Sequence, residues 1–258
     1  WQLYSIFRPG CPSAENRSIV FYDVTTLYFE IDTEDELRKT GFSKEGKHQN
    51  PQIVLGLLVS KNGYPLAYEI FEGDKFEGHT MLPVLDGFKN KYGIGKLVVI
   101  ADAGLLSKAN IKELCDKDYA FILGARIKNE TQAVRDKILS LQLKNGESQV
   151  IELEENKKLI VSYSSGRAKK DAHNRERGLR RIKKLLKSGR LTKSAINNKG
   201  YNKFLKMTGE ISLALNEQKL SEDAAWDGLK GYVTNTSLFK EEIIENYGHL
   251  WRIEQAFR

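Results

Sequence analysis

The chain has 258 residues, of which 40% are hydrophobic, so it can bury a sizeable core as one large domain or two small ones. Its 41 Lys and Arg outnumber its 34 Asp and Glu, and the net charge of +7 favours a polyanionic partner. No apolar run approaches the roughly 20 residues of a membrane span, and no signal peptide is visible, so we expect a cytoplasmic protein without a membrane partner.

The cysteines and the chain ends indicate the kind of polypeptide. Cys11 and Cys115 lie far apart and lack metal-site spacing, so reduced thiols are favoured over a disulfide. The chain begins at Trp1 rather than Met and stops within an apparent helix at Arg258. We therefore expect a fragment of a longer protein.

The first half is predicted to be a compact α/β unit of order β-β-β-α-β-α-β. Alternating or continuous apolar runs predict strands, and apolar residues three or four apart predict helices. Lys61-Asn62-Gly63 is typical of a hairpin turn between the second and third strands. The predicted elements are strands at 19–30, 52–60 and 64–72, a helix at 81–92, a strand at 96–102, a helix from the Ser107 cap to 114, and a strand at 119–125.

Two aspartates occupy unusual places in these strands. Asp23 lies inside "IVFYDVTTLYFE", where a carboxylate is costly unless it is paired or coordinated. Asp102 ends the fourth strand. Alone, Asp23 could be at an exposed edge and Asp102 could cap the next turn. Together, at adjacent strand positions of a mixed sheet, they favour convergence on a hard cation such as Mg²⁺ or Mn²⁺.

A cationic segment dominates the middle of the chain. Residues 127–159 are mixed and charged, with strands predicted around "SQVIELEE" and "KKLIVSYSS". Residues 167–193 then contain twelve Lys and Arg but two acids, with Leu179, Ile182 and Leu186 at helical spacing. A solvated helix face is one interpretation, but a phosphate-binding surface is favoured because such dense like charges repel. Residues 197–222 are predicted to be loosely structured, and 229–237 to form a strand.

The C-terminal segment at 241–258 is predicted to be one helix. Its apolar stripe includes Glu254, which we therefore expect to point inward. Alone, Glu254 could be a partly buried salt-bridge partner. Beside Asp23 and Asp102 it becomes a candidate third metal ligand.

These segments resemble the DDE transposases of bacterial insertion sequences, specifically the insertion-sequence-four type. Asp23, Asp102 and Glu254 match the DDE triad in "YDVTTLYFE", "VVIADAG" and "YGHLWRIEQAFR". "GFSKEGKHQNPQIVLGLLV", "YSSGRAKKDAHNRE" and "WDGLKGYVTNTS" also resemble segments of this group, in the same order.

The resemblance implies an α/β fold with a ribonuclease-H-like mixed sheet flanked by helices. It also implies two Mg²⁺ or Mn²⁺ ions held by the triad, so we expect the three carboxyl groups in one metal-sized cluster. The 152 residues from Asp102 to Glu254 are too many for a bare connection, so they must contain a subdomain. We expect a first catalytic part at 1–126, an insertion at 127–228, and a last strand and catalytic helix at 229–258.

The resemblance implies a transposase that cleaves transposon ends and transfers the 3′-OH into target DNA, acting as a homodimer at the nucleoid. The family's last motif is Tyr, two residues, Arg, three residues, Glu, six residues, Lys. Tyr247 and Glu254 match it, Leu250 stands at the Arg position, and Arg252 lies nearby. The predicted contacts to double-stranded DNA are Arg167, Lys169, Lys170, Arg175, Arg180, Arg181, Lys183, Lys184, Tyr247 and Arg252.

Two aromatic residues are candidates for stacking on an unpaired base near the cut. Trp226 and Tyr232 lie on either side of "DGLKG", and ordinary core packing is the alternative for both. Two other functions remain open at this point. One is a ribonuclease-H-like nuclease without strand transfer, and the other is an inactive DNA-binding remnant of a transposase.

Overall fold

The computed structural model describes residues 18–43, 45–105, 107–188, 196–197, 200–208 and 212–257. Cys11 and residues 189–193, at the end of the cationic segment, lie outside the described residues. None of the helices in the described ranges is long and apolar enough to cross a membrane.

The described elements of the first half follow the predicted order. Local signals account for several of their ends. Gly63, at φ 85°, turns the chain between the second and third strands. The Ser107 side chain caps a helix by accepting from the Asn110 backbone N–H at 3.0 Å. The elements are β1 (Ser18–Tyr28), β2 (Gln52–Ser60), β3 (Pro65–Glu72), α1 (Met81–Tyr92), β4 (Leu97–Ala101), α2 (Lys108–Asp116) and β5 (Ala120–Ala125).

The second half contains more regular structure than the sequence indicates. The prediction that residues 197–222 are loosely structured is wrong, because two short strands pair there and a helix follows them. Such short elements show little hydrophobic periodicity. The elements are α3 (Gln132–Ser140), β6 (Ser148–Glu152), β7 (Lys158–Tyr163), α4 (Ser165–Lys187), β8 (Leu205–Thr208), β9 (Ser212–Leu215), α5 (Glu217–Ala224), β10 (Leu229–Thr234), α6 (Lys240–Gly248) and α7 (Trp251–Ala256).

One eight-stranded mixed sheet organises the chain, in the order β3-β2-β1-β4-β5-β10-β7-β6. β1 pairs with β2 antiparallel and with β4 parallel, and β4 pairs with β5 parallel. The four core strands β2, β1, β4 and β5 are rich in Val, Ile and Leu, which favour buried strands. The predicted fold class is confirmed as an α/β fold in which a mixed sheet is flanked by helices.

The chain divides into two compact units. The first contains the described residues up to Ala125, Val150–Ile160 and those from Tyr232 onward. The second contains Arg126–Gln149 and Val161–Gly231. The predicted domain boundaries, at 126/127 and 228/229, stay a prediction. A single insertion would place Val150–Ile160 in the second unit, whereas the observed division assigns this segment to the first.

The hydrophobic core of the first unit holds the sheet and the C-terminal helices together. Phe21, Val98, Ile100 and Ile122 of the sheet are fully buried, and Ile253 of α7 packs into the same cluster. Burying side chains of this size contributes about 1.5–3 kcal/mol each to folding. The core therefore fixes where β1, β4 and α7 lie.

The predicted single C-terminal helix is wrong, because it breaks between α6 and α7. Gly248 ends α6, and glycine is a poor helix former. Across the break the backbone N–H groups of His249 and Leu250 bond three residues back, at 3.1 Å each, instead of four. This tighter winding redirects the chain, so residues after the break do not continue the stripe of α6.

Candidate active site

The register of two parallel strands places Asp23 beside Asp102. Tyr22 of β1 is paired with Ala101 of β4, so the next residue on each strand is an aspartate. Neighbouring strands lie about 4.8 Å apart. The two aspartates, 79 residues apart in sequence, are therefore side by side where β4 ends.

The surroundings of Asp23 act strongly on its carboxylate. Burial is the main cause that raises the pKa of Asp23 to about 6, and the charges of Asp102, Glu77 and Glu254 contribute to the same rise. The Val24 backbone N–H, which donates to Asp23 Oδ1 at 2.8 Å, acts in the opposite direction. Three other carboxylates thus act electrostatically on one point.

Asp102 is exposed, and one of its oxygens is held by a tyrosine. The Tyr247 hydroxyl on α6 donates to Asp102 Oδ1 at 2.8 Å. Tyr247 is 5% exposed. Tyr247 was predicted to contact DNA, whereas the structure places its hydroxyl on a carboxylate of the site. The family's last motif identified Tyr247 as a functional residue, but nothing in the neighbouring sequence indicated that it bonds to Asp102.

Glu254 lies on α7, which packs against β1 and β2. The expectation that it points inward is wrong. Glu254 is exposed, and its neighbour Ile253 is the buried residue. The break before α7 changes the helix phase, so Ile253 takes the inward position. Among the residues that the structure describes, Glu254 forms no ion pair, which disfavours the salt-bridge alternative.

Glu77 is an acidic residue near the site that the sequence analysis missed. It lies in the 3₁₀ turn Glu77–His79, and its charge contributes to the raised pKa of Asp23. The buried Thr80 anchors this turn: its hydroxyl donates to the Glu77 carbonyl at 2.6 Å and accepts from Tyr22 at 2.8 Å. Tyr22 precedes Asp23 directly, so the turn is tied to the strand that bears the aspartate.

A buried asparagine ties the same turn to the segment after Asp102. Asn110 is 5% exposed, and its side-chain amide donates to Gly78 O at 2.7 Å and to Leu105 O at 2.8 Å. The Leu105 backbone N–H in turn donates to Asp102 O at 3.2 Å. One hydrogen-bonded framework therefore links Tyr22, the residue before Asp23, to the backbone of Asp102.

The donor set fits a hard divalent cation in chemistry, because Mg²⁺ and Mn²⁺ prefer carboxylate oxygens. Over the described ranges, however, no three His, Cys, Asp or Glu side chains lie close enough to hold a metal ion as they stand. The expected metal-sized cluster of three carboxyl groups is therefore not formed. Two features oppose such a cluster. The carboxylates carry like charges that repel each other, and the Tyr247 hydroxyl is bonded to one oxygen of Asp102.

The cationic segment forms the 23-residue helix α4 in the second unit. Its buried side faces inward at Gly178 and Ile182. Seven of the eight predicted DNA contacts on this helix are exposed: Arg167, Lys169, Lys170, Arg180, Arg181, Lys183 and Lys184.

Two predicted DNA contacts are engaged within the protein. Arg175 donates to both oxygens of Asp227 at 2.6 Å, so this guanidinium is committed to a bidentate ion pair. Arg252 donates to the Lys61 carbonyl and lies against the turn at Gly63. Neither partner is visible in local sequence, because each is separated from its arginine by tens of residues.

Trp226 and Tyr232 are 8% and 5% exposed. Stacking on a base requires an open ring face, and little of either side chain is exposed. The Tyr232 ring instead packs edge to face on Tyr247, with centroids 4.9 Å apart. The structure therefore favours the alternative of core packing over base stacking.

Comparison with known proteins gives a family match over most of the chain. Residues 15–258 match the family model described as "Transposase DDE domain". A solved piggyBac transposase, in a synaptic complex with hairpin DNA, is 7% identical with a TM-score of 0.47, over 92% of this chain and 39% of that chain. Mos1 transposase, in a paired-end complex with the left transposon end, is 11% identical with a TM-score of 0.29, over 41% of this chain and 34% of that chain. No curated protein matched the chain.

Proposed function

Because the chain belongs to the family of transposase DDE domains, we propose that it is the catalytic domain of an insertion-sequence-four-type transposase. It cleaves DNA at transposon ends and joins the released 3′-OH to target DNA. The observation that supports this most directly is the β1–β4 register, which brings Asp23 beside Asp102. The charge of Glu254, acting on Asp23 from α7, adds the third carboxylate.

Asp23, Asp102 and Glu254 are the residues that would hold two Mg²⁺ or Mn²⁺ ions. Bound there, two such ions supply charge stabilisation for the attacking and leaving oxygens of phosphoryl transfer. The contribution of the chain is to gather carboxylates from three distant segments and to orient them. Burial and, after it, the negative charges of Asp102, Glu77 and Glu254 raise the pKa of Asp23, and a cation bound there would offset these charges.

The proposed reaction has two displacements at phosphorus. Water first attacks the phosphodiester at the transposon end, and the bond to the 3′ oxygen breaks to leave a 3′-OH. That 3′-OH then attacks a phosphodiester of target DNA, or of the opposite strand where a hairpin forms. A new bond joins its oxygen to this phosphorus, and the bond to the 3′ oxygen of the attacked strand breaks, which leaves a 3′-OH on that strand. The attacking oxygen comes from water or DNA, so no Ser, Tyr or Cys nucleophile of the chain is required.

The exposed cations of α4 support binding to the backbone of double-stranded DNA. Phosphate contacts of this kind carry affinity without reading sequence. We propose that the active complex is a homodimer acting at the nucleoid. The chain spans 39% and 34% of the length of the two solved transposases.

The first test replaces Glu254 with Gln, which preserves size and hydrogen bonding but removes the charge that holds a hard cation. Mg²⁺-dependent nicking of a transposon-end duplex should fall at least about 100-fold, because charge stabilisation by the metal supplies several kcal/mol. The thermal midpoint and DNA affinity should stay close to wild type, since Glu254 is exposed.

Glu245→Gln is the matched control, because Glu245 is also exposed and lies on the preceding helix α6. It should nick at the wild-type rate. A Glu254→Gln protein that nicks within a few-fold of wild type would refute the assignment of the third carboxylate. Joining of a pre-cleaved 3′-OH end to a target plasmid separates a transposase from a nuclease, which would cut but not join.

A further inference from the structure

Tyr247 makes a hydrogen bond that has no role in the two displacement steps proposed above. Its hydroxyl donates to Asp102 Oδ1 at 2.8 Å across 145 residues of sequence. A carboxylate can only accept, so the hydroxyl proton points at Asp102. A phenol bound in this way restricts the rotation of the carboxylate about its side-chain bond.

The Tyr247 ring is itself held in place. It belongs to the core cluster of the first unit, and the Tyr232 ring packs edge to face against it at 4.9 Å. α6 packs against β4 and β5, with Ile243 buried one turn before Tyr247. A ring packed on these sides presents its hydroxyl in one direction, toward the end of β4.

Gly124 on β5 provides the space for this hydroxyl. A Cβ atom at Gly124 would lie 2.4 Å from Tyr247 Oη and 3.0 Å from the Ala103 backbone N. Gly124 is not among the residues with positive φ, so its backbone conformation does not require glycine. A glycine inside a strand commonly marks a close approach by another group, and here that group is the phenol.

We infer that Tyr247 is a positioning residue for Asp102, and that Gly124 is required to admit it. The hydroxyl takes Oδ1 and orients the carboxylate so that Oδ2 is presented to a divalent cation. Hydrogen bonds to metal-ligating carboxylates serve this purpose generally, and their loss costs about 10- to 100-fold in metal affinity or activity. This inference rests on the proposed function, and it replaces DNA contact as the role of Tyr247.

Tyr247→Phe removes one oxygen and keeps the ring. Mn²⁺ affinity, measured without DNA by electron paramagnetic resonance, should fall about 10- to 100-fold. The Mn²⁺ concentration for half-maximal nicking should rise by the same factor. Affinity for an end duplex in EDTA should be unchanged, because the hydroxyl is not placed on DNA.

Tyr119→Phe is the matched control. Tyr119 is 2% exposed, and its hydroxyl also donates to an aspartate, Asp86 Oδ1 at 2.7 Å. Removing it should cost stability to a similar degree without changing Mn²⁺ affinity. The comparison separates loss of a buried hydrogen bond from loss of carboxylate orientation.

Gly124→Ala tests the space around the hydroxyl. The added Cβ should displace the phenol and reduce Mn²⁺ affinity as Tyr247→Phe does. Combined with Tyr247→Phe it should add little further loss, because coupled residues are non-additive. Additive losses would contradict the role given to Gly124.

Three outcomes would overturn the inference. One is an unchanged Mn²⁺ affinity in Tyr247→Phe with a stability loss equal to that of Tyr119→Phe. Another is weaker DNA binding with unchanged Mn²⁺ affinity, which would restore the DNA-contact role. A wild-type protein that neither binds Mn²⁺ nor nicks DNA would overturn the proposed function as well, whereas the first two outcomes leave it standing.

Discussion

Asp23 bears the main electrostatic cost of the site. It lies on β1 next to the buried Tyr22, and burial together with three nearby carboxylates raises its pKa to about 6 from an ordinary 3.8. A group whose pKa is raised on folding holds its proton more tightly in the folded state. The folded protein therefore loses stability as pH rises from about 4 to 6, and the penalty is complete above that window.

Replacing Asp23 with Asn should remove this penalty. We expect the free energy of unfolding in EDTA to rise by about 1–3 kcal/mol at pH 7, since each pKa unit corresponds to about 1.4 kcal/mol. The gain should become small near pH 4 and disappear below it, where Asp23 is protonated in both the folded and the unfolded wild-type chain. Urea unfolding across this pH range measures it, and an equal gain at pH 4 and pH 7 would show that charge is not the cause.

At the scale of an element, α4 combines an inward side with a densely cationic outward one. Gly178 allows close packing, because a Cβ there would lie 2.2 Å from the Tyr201 ring. The Tyr201 hydroxyl also donates to the Asn174 carbonyl at 2.7 Å. The helix is thereby attached within the second unit along one side, and its exposed Lys and Arg remain on the other.

Reversing four exposed α4 cations to Glu should flatten the salt dependence of DNA binding. Each phosphate contact contributes a slope of roughly −0.9 in log K against log salt, and the loss should be alike for all DNA sequences. The reversed residues are Arg180, Arg181, Lys183 and Lys184.

A control with the same total charge change reverses four exposed lysines of the first unit: Lys91, Lys96, Lys108 and Lys112. Fluorescence anisotropy over a salt series compares the two proteins. If both variants show the same salt slope, the net charge of the protein rather than the α4 surface explains DNA binding. The outward side of α4 is then only a solvated helix face.

For the whole molecule, the division into two units means that the candidate site belongs to one of them. Asp23, Asp102 and Glu254 come from three separate segments that all lie in the first unit. A cation that binds all three carboxylates binds only the folded unit, because the unfolded chain does not bring these segments together. Binding should therefore stabilise that unit by mass action.

We expect Mn²⁺ at 100 times its dissociation constant to stabilise the protein by about 2.7 kcal/mol, and EDTA to reverse this. Two units need not unfold together, so hydrogen exchange is the better measurement. Slower exchange should appear in β1 and β4 but not in α4. Asp102→Asn should abolish the effect, and protection that persists in this variant would place the cation elsewhere.

Local sequence alone determined the order of elements in the first half and most of their bounds. β2 and α1 begin and end where the apolar periodicity predicts, because that periodicity reflects which side chains each element buries. Ser107 and Gly63 marked their cap and turn because such preferences depend on neighbouring residues only. Asp23 was identified as a candidate because it is a carboxylate inside an apolar strand, and Asp102 because it ends another strand of the same predicted sheet.

Tertiary structure decided which of these residues meet. The β1–β4 register, the exposure of Glu254 after the helix break, and the approach of Glu77 to Asp23 all depend on distant segments. The bond from Tyr247 to Asp102 spans 145 residues, and the space for it comes from Gly124 on a third element. Periodicity reports which face of an element is buried but not what covers that face, so such partners follow only from the packing of the whole core.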